Sequence, residues 1–389
     1  MKILRVIPSM DPLQGGPCQG VRNSIPELEK LNVTNEVVCF DEPSSSFIKE
    51  DNFKIYALGA YQTSWKFNSN FARWFEYNFN KYDVIIIHGL WNYHSYLVNK
   101  IVSNQLKRAK TSTVKVFVMP HGMLDPWFQK ASNRKLKAIR NTLYWHLIEK
   151  HVINNADGVL FTTNEELLLA RTTFSGYKPK KELNVGYGIQ PPPLFDTKMK
   201  DCLTKFNISN DPYILFMSRI DIKKGVELLI RAYIKLKEHY HNIPKLIIAG
   251  PGLESPYGTK MVELANNIPE IIFTGMLTGD QKWSVLYGCE VFILPSHQEN
   301  FGIVLAEAMA CGKAVLTTNK VNIQKEIINH SAGIITDDTE SGIYDSLKSW
   351  CDKNQNNKLE MQENANNLFK NNYSIESAAK SFLNSIRQY

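Results

Sequence analysis

Short, almost continuous apolar runs recur along this chain, and they constrain its fold more than any other feature. Val84–His88 (VIIIH) and Lys245–Gly250 (KLIIAG) are two examples. Strands that are apolar on both faces are typical of parallel sheets covered by helices on each side. Segments with helical periodicity separate the runs, which is the alternation expected of an α/β protein. We therefore predict an α/β fold with parallel sheets.

The strand pattern occurs in two series with a break between them. A proline cluster at Pro191–Pro193 and a polar segment that ends at Asp211-Pro212 mark the break. The length of 389 residues also exceeds the usual size of one domain. We predict an N-terminal domain over residues 1–192, a second domain over 193–372 and a final helix within 373–389. The predicted strands are Ile3–Ile7, Glu36–Phe40, Phe53–Ala57, Val84–His88, Val114–Met119, Gly158–Thr162, Leu183–Gly186, Tyr213–Met217, Leu246–Ala249, Ile271–Thr274, Val291–Leu294, Ala314–Thr317 and Gly333–Ile335.

Hydropathy and cysteine usage predict a cytoplasmic protein. No apolar run approaches the roughly 18 to 20 residues of a membrane helix. The start of the chain enters a strand pattern without the apolar core of a signal peptide. The cysteines show no C-x-x-C spacing, so we predict reduced, structural thiols and neither a disulfide framework nor a zinc site. They are Cys18, Cys39, Cys202, Cys289, Cys311 and Cys351.

One junction between a strand and a helix carries two carboxylates eight residues apart. Val291–Leu294 is predicted to be a buried strand, Pro295 ends it, and residues 302–310 have the pattern of a packed helix. Glu299 then lies in the loop and Glu307 in the helix. The pair alone is weak evidence, because a solvated helix face explains Glu307 equally well.

The first turn of this predicted helix offers backbone N–H groups to an anion. Phe301, Gly302 and Ile303 would supply them, because the first N–H groups of a helix have no partner within it and the helix dipole favours negative charge. Gly302 also lets a ligand approach the backbone closely. The segment is therefore a candidate phosphate site.

A second strand end, upstream, carries two cations. The apolar run Tyr213–Met217 is followed by Arg219 and Lys224, and a helical pattern begins at Val226. Ligands of open α/β sheets bind at the carboxyl ends of strands. A guanidinium and an ammonium group there can neutralise a diphosphate. An ordinary surface charge explains either residue alone, and the placement at a strand end favours a binding site.

Together these motifs resemble the retaining glycosyltransferases of family 4, which have the GT-B architecture of two facing Rossmann-like domains. The E-x7-E pattern of that family matches Glu299 and Glu307. Its R-x4-K-G pattern matches Arg219, Lys224 and Gly225. Three shorter patterns follow in the family order: PHG at 120–122, GPG at 250–252 and FTG at 273–275.

The resemblance implies a role for each matched residue. Glu299 would contact the donor sugar and Glu307 the ribose hydroxyls. Arg219 and Lys224 would bind the diphosphate, and His121 would lie near the transferred sugar. The implied donor-binding set is completed by Gly15, Gly16, Gly252, Asn300, Phe301, Gly302 and Ile303. A simple turn explains the two N-terminal glycines as well, and Asn300 stands where the family often has glycine. The final helix is implied to pack back on the N-terminal domain.

Two loops of the N-terminal half are candidates for binding the acceptor. His88 and Trp91 follow a predicted strand in HGLWNYH, and aromatic faces suit sugar rings. Asp125 follows another strand in PHGMLDPW. A packed loop explains the next residues of the first loop, Tyr93 and His94, at least as well.

Positive charge is concentrated in residues 1–190, which contain 24 Lys and Arg against 16 Asp and Glu. A basic segment at 130–140, preceded by Trp127 and Phe128, is suited to an anionic membrane surface and predicts a peripheral position on the inner face of the plasma membrane. A solvated helix packed through Leu136, Ile139 and Leu143 fits equally well. Nucleic acid is disfavoured, because the chain has no nucleic-acid motif. The cations of the segment are Lys130, Arg134, Lys135, Lys137 and Arg140.

The matched cations also suggest the chemistry. When a glycosidic phosphate bond breaks, the diphosphate gains negative charge and the anomeric carbon becomes oxocarbenium-like. Arg219, Lys224 and the helix start at Gly302 would stabilise that charge, and the chain has no D-x-D motif. We therefore predict metal-independent transfer without a cofactor. The donor would be a UDP- or GDP-sugar, and the acceptor a glycan or polyprenyl-linked precursor of a surface polysaccharide. A GT-B sugar-nucleotide epimerase and a non-catalytic nucleotide-sugar sensor are the alternatives.

Overall fold

The computed structural model describes residues 1–109, 114–130, 134–204, 211–240, 242–266 and 268–388. The chain forms two compact units. Unit 1 consists of Met1–Gly188 together with Ile375–Tyr389, and unit 2 consists of Ile189–Ser374. Each unit contains one parallel sheet, so the predicted parallel α/β fold is confirmed.

The sheet of unit 1 has seven strands in the order β3-β2-β1-β4-β5-β6-β7. Chain order reverses between β1 and β4, which pair in parallel. Ligands of doubly wound sheets bind at such a switch point. The strands are β1 Lys2–Val6, β2 Thr34–Cys39, β3 Lys54–Ala57, β4 Val84–His88, β5 Lys115–Met119, β6 Gly158–Phe161 and β7 Glu182–Asn184.

The sheet of unit 2 has six strands in the order β10-β9-β8-β11-β12-β13. Its switch point lies between β8 and β11, which also pair in parallel. The strands are β8 Tyr213–Met217, β9 Lys245–Ala249, β10 Ile271–Gly275, β11 Val291–Leu294, β12 Val315–Thr318 and β13 Gly333–Thr336. Because β8 and β11 are buried along their whole length, their unbroken apolar sequences are what a sheet covered on both faces requires.

Helices connect the strands of both sheets. Those of unit 1 are α1 Gly16–Lys30, α2 Ser46–Lys49, α3 Ser69–Asn78, α4 Tyr93–Ala109, α5 Trp127–Lys130, α6 Lys135–Tyr144, α7 Lys150–Asn155 and α8 Asn164–Thr173. Those of unit 2 are α9 Thr197–Thr204, α10 Val226–His239, α11 Pro256–Leu264, α12 Gly279–Gly288, α13 Ile303–Ala310, α14 Gln324–Asn329, α15 Glu340–Cys351 and α16 Gln355–Leu368. The last helix, α17 Ile375–Arg387, belongs to unit 1.

Helix α17 is amphipathic and packs against α1. Its buried residues recur with the spacing of one helical face, and Phe382 and Leu383 join a core cluster with Leu28 of α1 and Phe117 of β5. The end of the chain therefore contributes to the core of unit 1.

The helices contain no membrane crossing as far as the structure describes them, since none is both long and apolar enough. The six cysteines are all free thiols. Burial raises the pKa of several of these thiols, and it raises that of Cys289 to about 12.

Gly225 allows a close backbone contact between the loop after β8 and the loop after β11. Its φ is 68°, and a Cβ atom there would lie 2.0 Å from the carbonyl oxygen of Pro295. Only glycine therefore lets the start of α10 approach the end of β11.

Gly225→Ala should lower the free energy of unfolding by more than about 2 kcal/mol, because it adds a backbone clash to the strain of positive φ. Gly312→Ala is the matched control: its φ is 71°, and nothing lies within 4 Å of the added Cβ. Urea denaturation of both variants measures the difference. Equal losses would show that the contact with Pro295 is not tight.

Candidate functional site

The predicted diphosphate residues lie at the switch point of unit 2. The loop after β8 carries Arg219 and Lys224, and the loop after β11 carries Glu299. Asp221 caps a short 3-10 helix, Ile222–Lys224, by accepting a hydrogen bond from the backbone N–H of Lys223 at 2.9 Å. This turn directs Lys224 toward the neighbouring loop.

Lys224 and Glu299 form an ion pair between Nζ and Oε2. Both side chains are largely buried, with 11% and 17% exposure. The backbone of Glu299 is fixed on both sides, because its N–H donates to the carbonyl of Lys320 at 3.0 Å and its carbonyl accepts from Asn322 at 3.0 Å. The sequence placed these residues in one site but did not predict that they contact each other.

Glu307 is held by Lys282 of α12, whose Nζ lies 2.6 Å from Oε1. Burial raises the pKa of Glu307, and the adjacent ammonium group of Lys282 opposes this effect. The solvated helix face that we considered for Glu307 is wrong, because the side chain is only 12% exposed. Lys282 was missed, since it stands alone in the sequence and belongs to no motif.

The helix after Glu299 begins at Ile303, one residue later than predicted. Gly302 precedes it in a left-handed conformation with φ 74° and ψ 64°. Phe301 and Gly302 therefore lie outside the first turn, and the predicted set of helical N–H donors is corrected to begin at Ile303. The ring of Phe301 packs against Tyr373 at 5.3 Å, and Asn300 accepts a hydrogen bond from Asn322 at 3.1 Å.

The remaining donor candidates of unit 2 border the same sheet edge. Arg219 is exposed beside the end of β8. Gly252 has a φ of 107°, and a Cβ there would lie 3.0 Å from the carbonyl oxygen of Ile220. The N–H of Ile220 donates to the carbonyl of Pro251 at 2.8 Å, so the loops after β8 and β9 are joined.

The candidates of unit 1 lie around its own switch point. Gly15, with φ 91°, precedes α1, and Gly16 is the first residue of that helix. No other atom lies within 4 Å of a Cβ built on Gly15, so the backbone is open on that side. The glycines thus form a helix start at the end of the loop after β1, where a simple turn had been the alternative.

His121 adopts a left-handed backbone conformation, φ 53°, which is uncommon for a residue other than glycine. The next residue, Gly122, donates its N–H to Oε1 of Glu166 at 2.6 Å. Glu166 also accepts from the N–H and the hydroxyl of Thr162, at 2.8 and 2.7 Å. Glu166 therefore anchors the PHG loop, a role that no sequence signal revealed.

His88 lies behind His121 and is almost fully buried. Its Nδ1 is 2.9 Å from Nε2 of His121, and its Nε2 is 3.4 Å from Nη1 of Arg5. Both ring nitrogens are therefore engaged within the protein, and the predicted acceptor contact of His88 is replaced by contact with His121.

Trp91 also has a positive φ, 69°, and its loop is held by a buried carboxylate. Oε1 of Glu149 accepts from the N–H of Trp91 at 2.7 Å and from the hydroxyl of Ser95 at 2.8 Å. Burial raises the pKa of Glu149 to about 7. The ring of Trp91 packs edge-on against Phe174 at 5.7 Å, which leaves it only partly exposed.

Asp125 has a structural function that the sequence analysis did not assign. It is buried, and Oδ1 accepts from the N–H of Trp127 at 2.8 Å at the start of α5. A capping carboxylate satisfies helix N–H groups, which explains this residue without an acceptor.

The basic segment precedes and enters α6, and its apolar residues face outward. Leu136, Ile139 and Leu143 are 84%, 60% and 61% exposed. The alternative in which they pack the helix is therefore wrong. Leu147, in the π-helical turn Trp145–Glu149 that continues α6, is 75% exposed.

Two parallel sheets with alternating helices are the GT-B fold, which solved glycosyltransferase structures share over the whole chain. Sucrose-phosphate synthase from Thermosynechococcus elongatus has a TM-score of 0.76 and 19% identity, covering 100% of this chain and 98% of that one. Anabaena HepE in complex with UDP and glucose has a TM-score of 0.75 and 15% identity, covering 100% of both chains.

A family model matches the sequence of unit 2. Residues 203–368 match the model described as glycosyl transferases group 1. Lipopolysaccharide 1,2-N-acetylglucosaminetransferase of Salmonella typhimurium is 29% identical over 189 residues, which are 46% of this chain and 49% of that protein. The chain matches less than half the length of the curated relatives to which it is similar.

The buried carboxyl of Glu149 predicts a pH dependence of stability. Its folded pKa, about 7, lies above the ordinary value of 4.5, so the folded protein holds the proton more tightly. The stabilisation is present below pH 4.5 and is lost as the pH rises through 7.

Relative to Glu149→Gln, the free energy of unfolding of the native protein should fall by about 2 to 3 kcal/mol between pH 5 and pH 8. Urea denaturation at a series of pH values measures this. Glu29→Gln, which removes an exposed carboxylate from α1, is the control and should show no such change. A constant difference for Glu149→Gln would mean that the carboxyl titrates alike in both states.

Proposed function

We propose that this protein transfers a sugar from a UDP- or GDP-sugar to a glycan or polyprenyl-linked acceptor in surface polysaccharide biosynthesis, with retention of configuration and without a metal ion. The observation that carries the proposal is the buried Lys224–Glu299 pair at the switch point of unit 2. Exposed Arg219 lies at the end of the adjoining strand.

The pair supplies a reason for the family pattern of these residues. An isolated buried ammonium group is costly, and Glu299 compensates it while the site holds no anion. A diphosphate would bring its own negative charge to Lys224. Glu299 would then be released to accept hydrogen bonds from the hydroxyls of the donor sugar.

The same groups suit the charge that develops in the reaction. The leaving diphosphate gains negative charge, and Lys224, Arg219 and the N–H groups at the start of α13 would stabilise it. The leaving phosphate would accept the proton of the attacking hydroxyl on the same face of the sugar. Glu307, kept in place by Lys282, would hold the ribose, and His121 would lie near the transferred sugar.

The proposed nucleotide class and the proposed acceptor class rest on similarity to other proteins. The solved HepE complex contains UDP, which favours a UDP-sugar here. The Salmonella relative is named for lipopolysaccharide, which favours a surface glycan as the acceptor. The remaining alternatives, an epimerase and a sensor, differ from transfer in their products and are decided by assay.

We further propose that α6 lies on the anionic inner face of the plasma membrane. Leu136, Ile139, Leu143 and Leu147 are spaced as one exposed helical stripe. Lys135, Lys137 and Arg140 are exposed in the same helix. An apolar stripe flanked by cations is the pattern of helices that rest in a lipid interface.

Calorimetric titration with UDP and GDP in EDTA tests the donor site. We expect one nucleotide to bind without a metal, and Lys224→Ala to weaken binding at least about tenfold, because a charged hydrogen bond to the diphosphate is lost. Lys223→Ala removes the neighbouring cation and is the matched control. No binding by the native protein, or equal effects of both variants, would refute the assignment of Lys224.

Once the nucleotide is known, its sugar conjugates can be tested with and without lipid-linked acceptors. Isomerised donor without any acceptor would identify an epimerase. Binding without turnover under every condition would identify a sensor.

The membrane position is tested by sedimentation with vesicles of phosphatidylglycerol and phosphatidylcholine. Replacing Leu136, Ile139 and Leu143 by serine should weaken binding more than tenfold, since each buried apolar side chain contributes about 1.5 to 3 kcal/mol. Leu168→Ser, which changes a half-exposed leucine of α8, is the control. Replacing Lys135, Lys137 and Arg140 by serine should reduce binding only to the anionic vesicles. Unchanged sedimentation of the leucine variant would overturn the proposal.

A further inference from the structure

Arg5 is a buried cation of unit 1, and the groups that it contacts in the described part of the chain are uncharged. It lies on β1 and is 3% exposed. Nε donates to the amide oxygen of Asn35 at 3.1 Å, and the guanidinium stacks on the ring of Phe382 at 5.3 Å. In the described part of the chain it makes no ion pair, so its charge acts directly on the remaining neighbour, His88.

Arg5, His88 and His121 form a continuous polar chain. Nη1 of Arg5 lies 3.4 Å from Nε2 of His88, and Nδ1 of His88 lies 2.9 Å from Nε2 of His121. The two imidazole rings are nearly parallel, at 20°, and meet edge to edge with their centroids 5.2 Å apart. The chain leads from the buried face of β1 to the left-handed loop residue His121.

The direction of each hydrogen bond in this chain follows from Arg5. A guanidinium can only donate, so Nε2 of His88 has to present its lone pair to Nη1. A neutral His88 then carries its proton on Nδ1 and donates it to Nε2 of His121. A neutral His121, whose Nε2 is an acceptor, carries its own proton on Nδ1.

We propose that Arg5 is a positioning residue that fixes the proton arrangement of both histidines, so that His121 presents an Nδ1–H donor to substrate. The ligand atom that this donor suits is an oxygen with a free lone pair, such as a sugar hydroxyl or a phosphate oxygen.

The arrangement requires both rings to be neutral, and the surroundings keep them so. Burial and, as the smaller effect, the charge of Arg5 together lower the pKa of His121 to about 4. Burial, His121 and Arg5 all lower the pKa of His88. His94 of α4 donates Nε2–H to the carbonyl of His88 at 2.9 Å and is itself buried, with its pKa lowered by burial to about 4.

The proton arrangement restricts what His121 does in the reaction. Nε2 is occupied by the hydrogen bond from His88, and Nδ1 already carries a proton. His121 therefore does not accept the proton of an attacking hydroxyl, and acts as a hydrogen-bond donor. This consequence rests on the proposed function, in which the leaving phosphate takes that proton. The proton arrangement of the two histidines does not rest on the proposed function.

Nuclear magnetic resonance of the full-length protein, labelled with ¹⁵N only in histidine, tests the proposal. Long-range proton–nitrogen spectra at neutral pH distinguish the two neutral forms of an imidazole. His88→Gln and His121→Gln identify the signals. We expect both residues to carry their proton on Nδ1 in the native protein.

Arg5→Met removes the fixed donor and should convert one or both signals to a mixture of the two neutral forms, with a higher pKa for His121. Arg5→Lys keeps the charge and should retain the native arrangement at His121, which guards against misfolding of the first variant. Arg22→Met, which removes a partly buried arginine paired with Asp51, is the control and should leave both histidines unchanged.

A proton on Nε2 of His121 in the native protein would overturn the proposal, as would native spectra in Arg5→Met. Neither outcome depends on whether a nucleotide binds. A failure here leaves the transferase proposal standing, and a failure of the nucleotide titration leaves the histidine arrangement measurable.

Discussion

The close approach of Gly225 to the carbonyl of Pro295 is the constraint on which the donor site depends. It brings the loop after β8 against the end of β11, with only a hydrogen atom between the two backbones. Lys224 precedes this contact by one residue, and Glu299 follows it by four. A larger residue at 225 would separate the loops, and the ion pair between Lys224 and Glu299 would have no fixed geometry. The pattern R-x4-K-G therefore specifies a backbone distance as well as two charges.

Much of the fold could be predicted from sequence, because parallel strands buried on both faces leave apolar runs that are hard to mistake. Val84–His88, Tyr213–Met217 and Val291–Leu294 have the predicted bounds. Other strands moved by one or two residues, since pairing with a neighbour decides where a strand ends. The GT-B fold followed from motifs. Unit 1 ends at Gly188, where residue 192 was predicted, and the chain returns to it at Ile375, where 373 was predicted, because contacts between distant residues decide such a boundary.

The site was predictable where a motif carried it, and not where a single residue from elsewhere completed it. Lys282 and Arg5 each contact a predicted site residue, and Glu166 binds Gly122, the neighbour of one. Each of the three comes from a distant element and stands in no recognisable pattern. Asp125 and His88 were assigned to the acceptor because they follow strands. Burial gave them structural partners instead, and burial is a property of the folded chain. The sequence did not decide whether the apolar residues of α6 are buried or exposed for the same reason, since its pattern suits both.

Unit 1 buries two ionisable groups, one basic and one acidic, at an energetic cost. Arg5 is a cation without a counter-ion among the described residues, and Glu149 is a carboxyl whose pKa burial raises to about 7. Burying either group is energetically costly. Glu149 contacts Trp91, which has a positive φ, and Arg5 contacts His88, whose neighbour in the sequence has one. Local cost of this kind is concentrated at functional loops in proteins.

Glu149 also lies in the π-helical turn that continues α6, the helix with the exposed leucines, and it accepts a hydrogen bond from the backbone N–H of Trp91. The side chain of Glu149 thus connects this helix to the loop. The backbone geometry of the loop that carries Trp91 therefore depends on where this helix holds the Glu149 carboxylate.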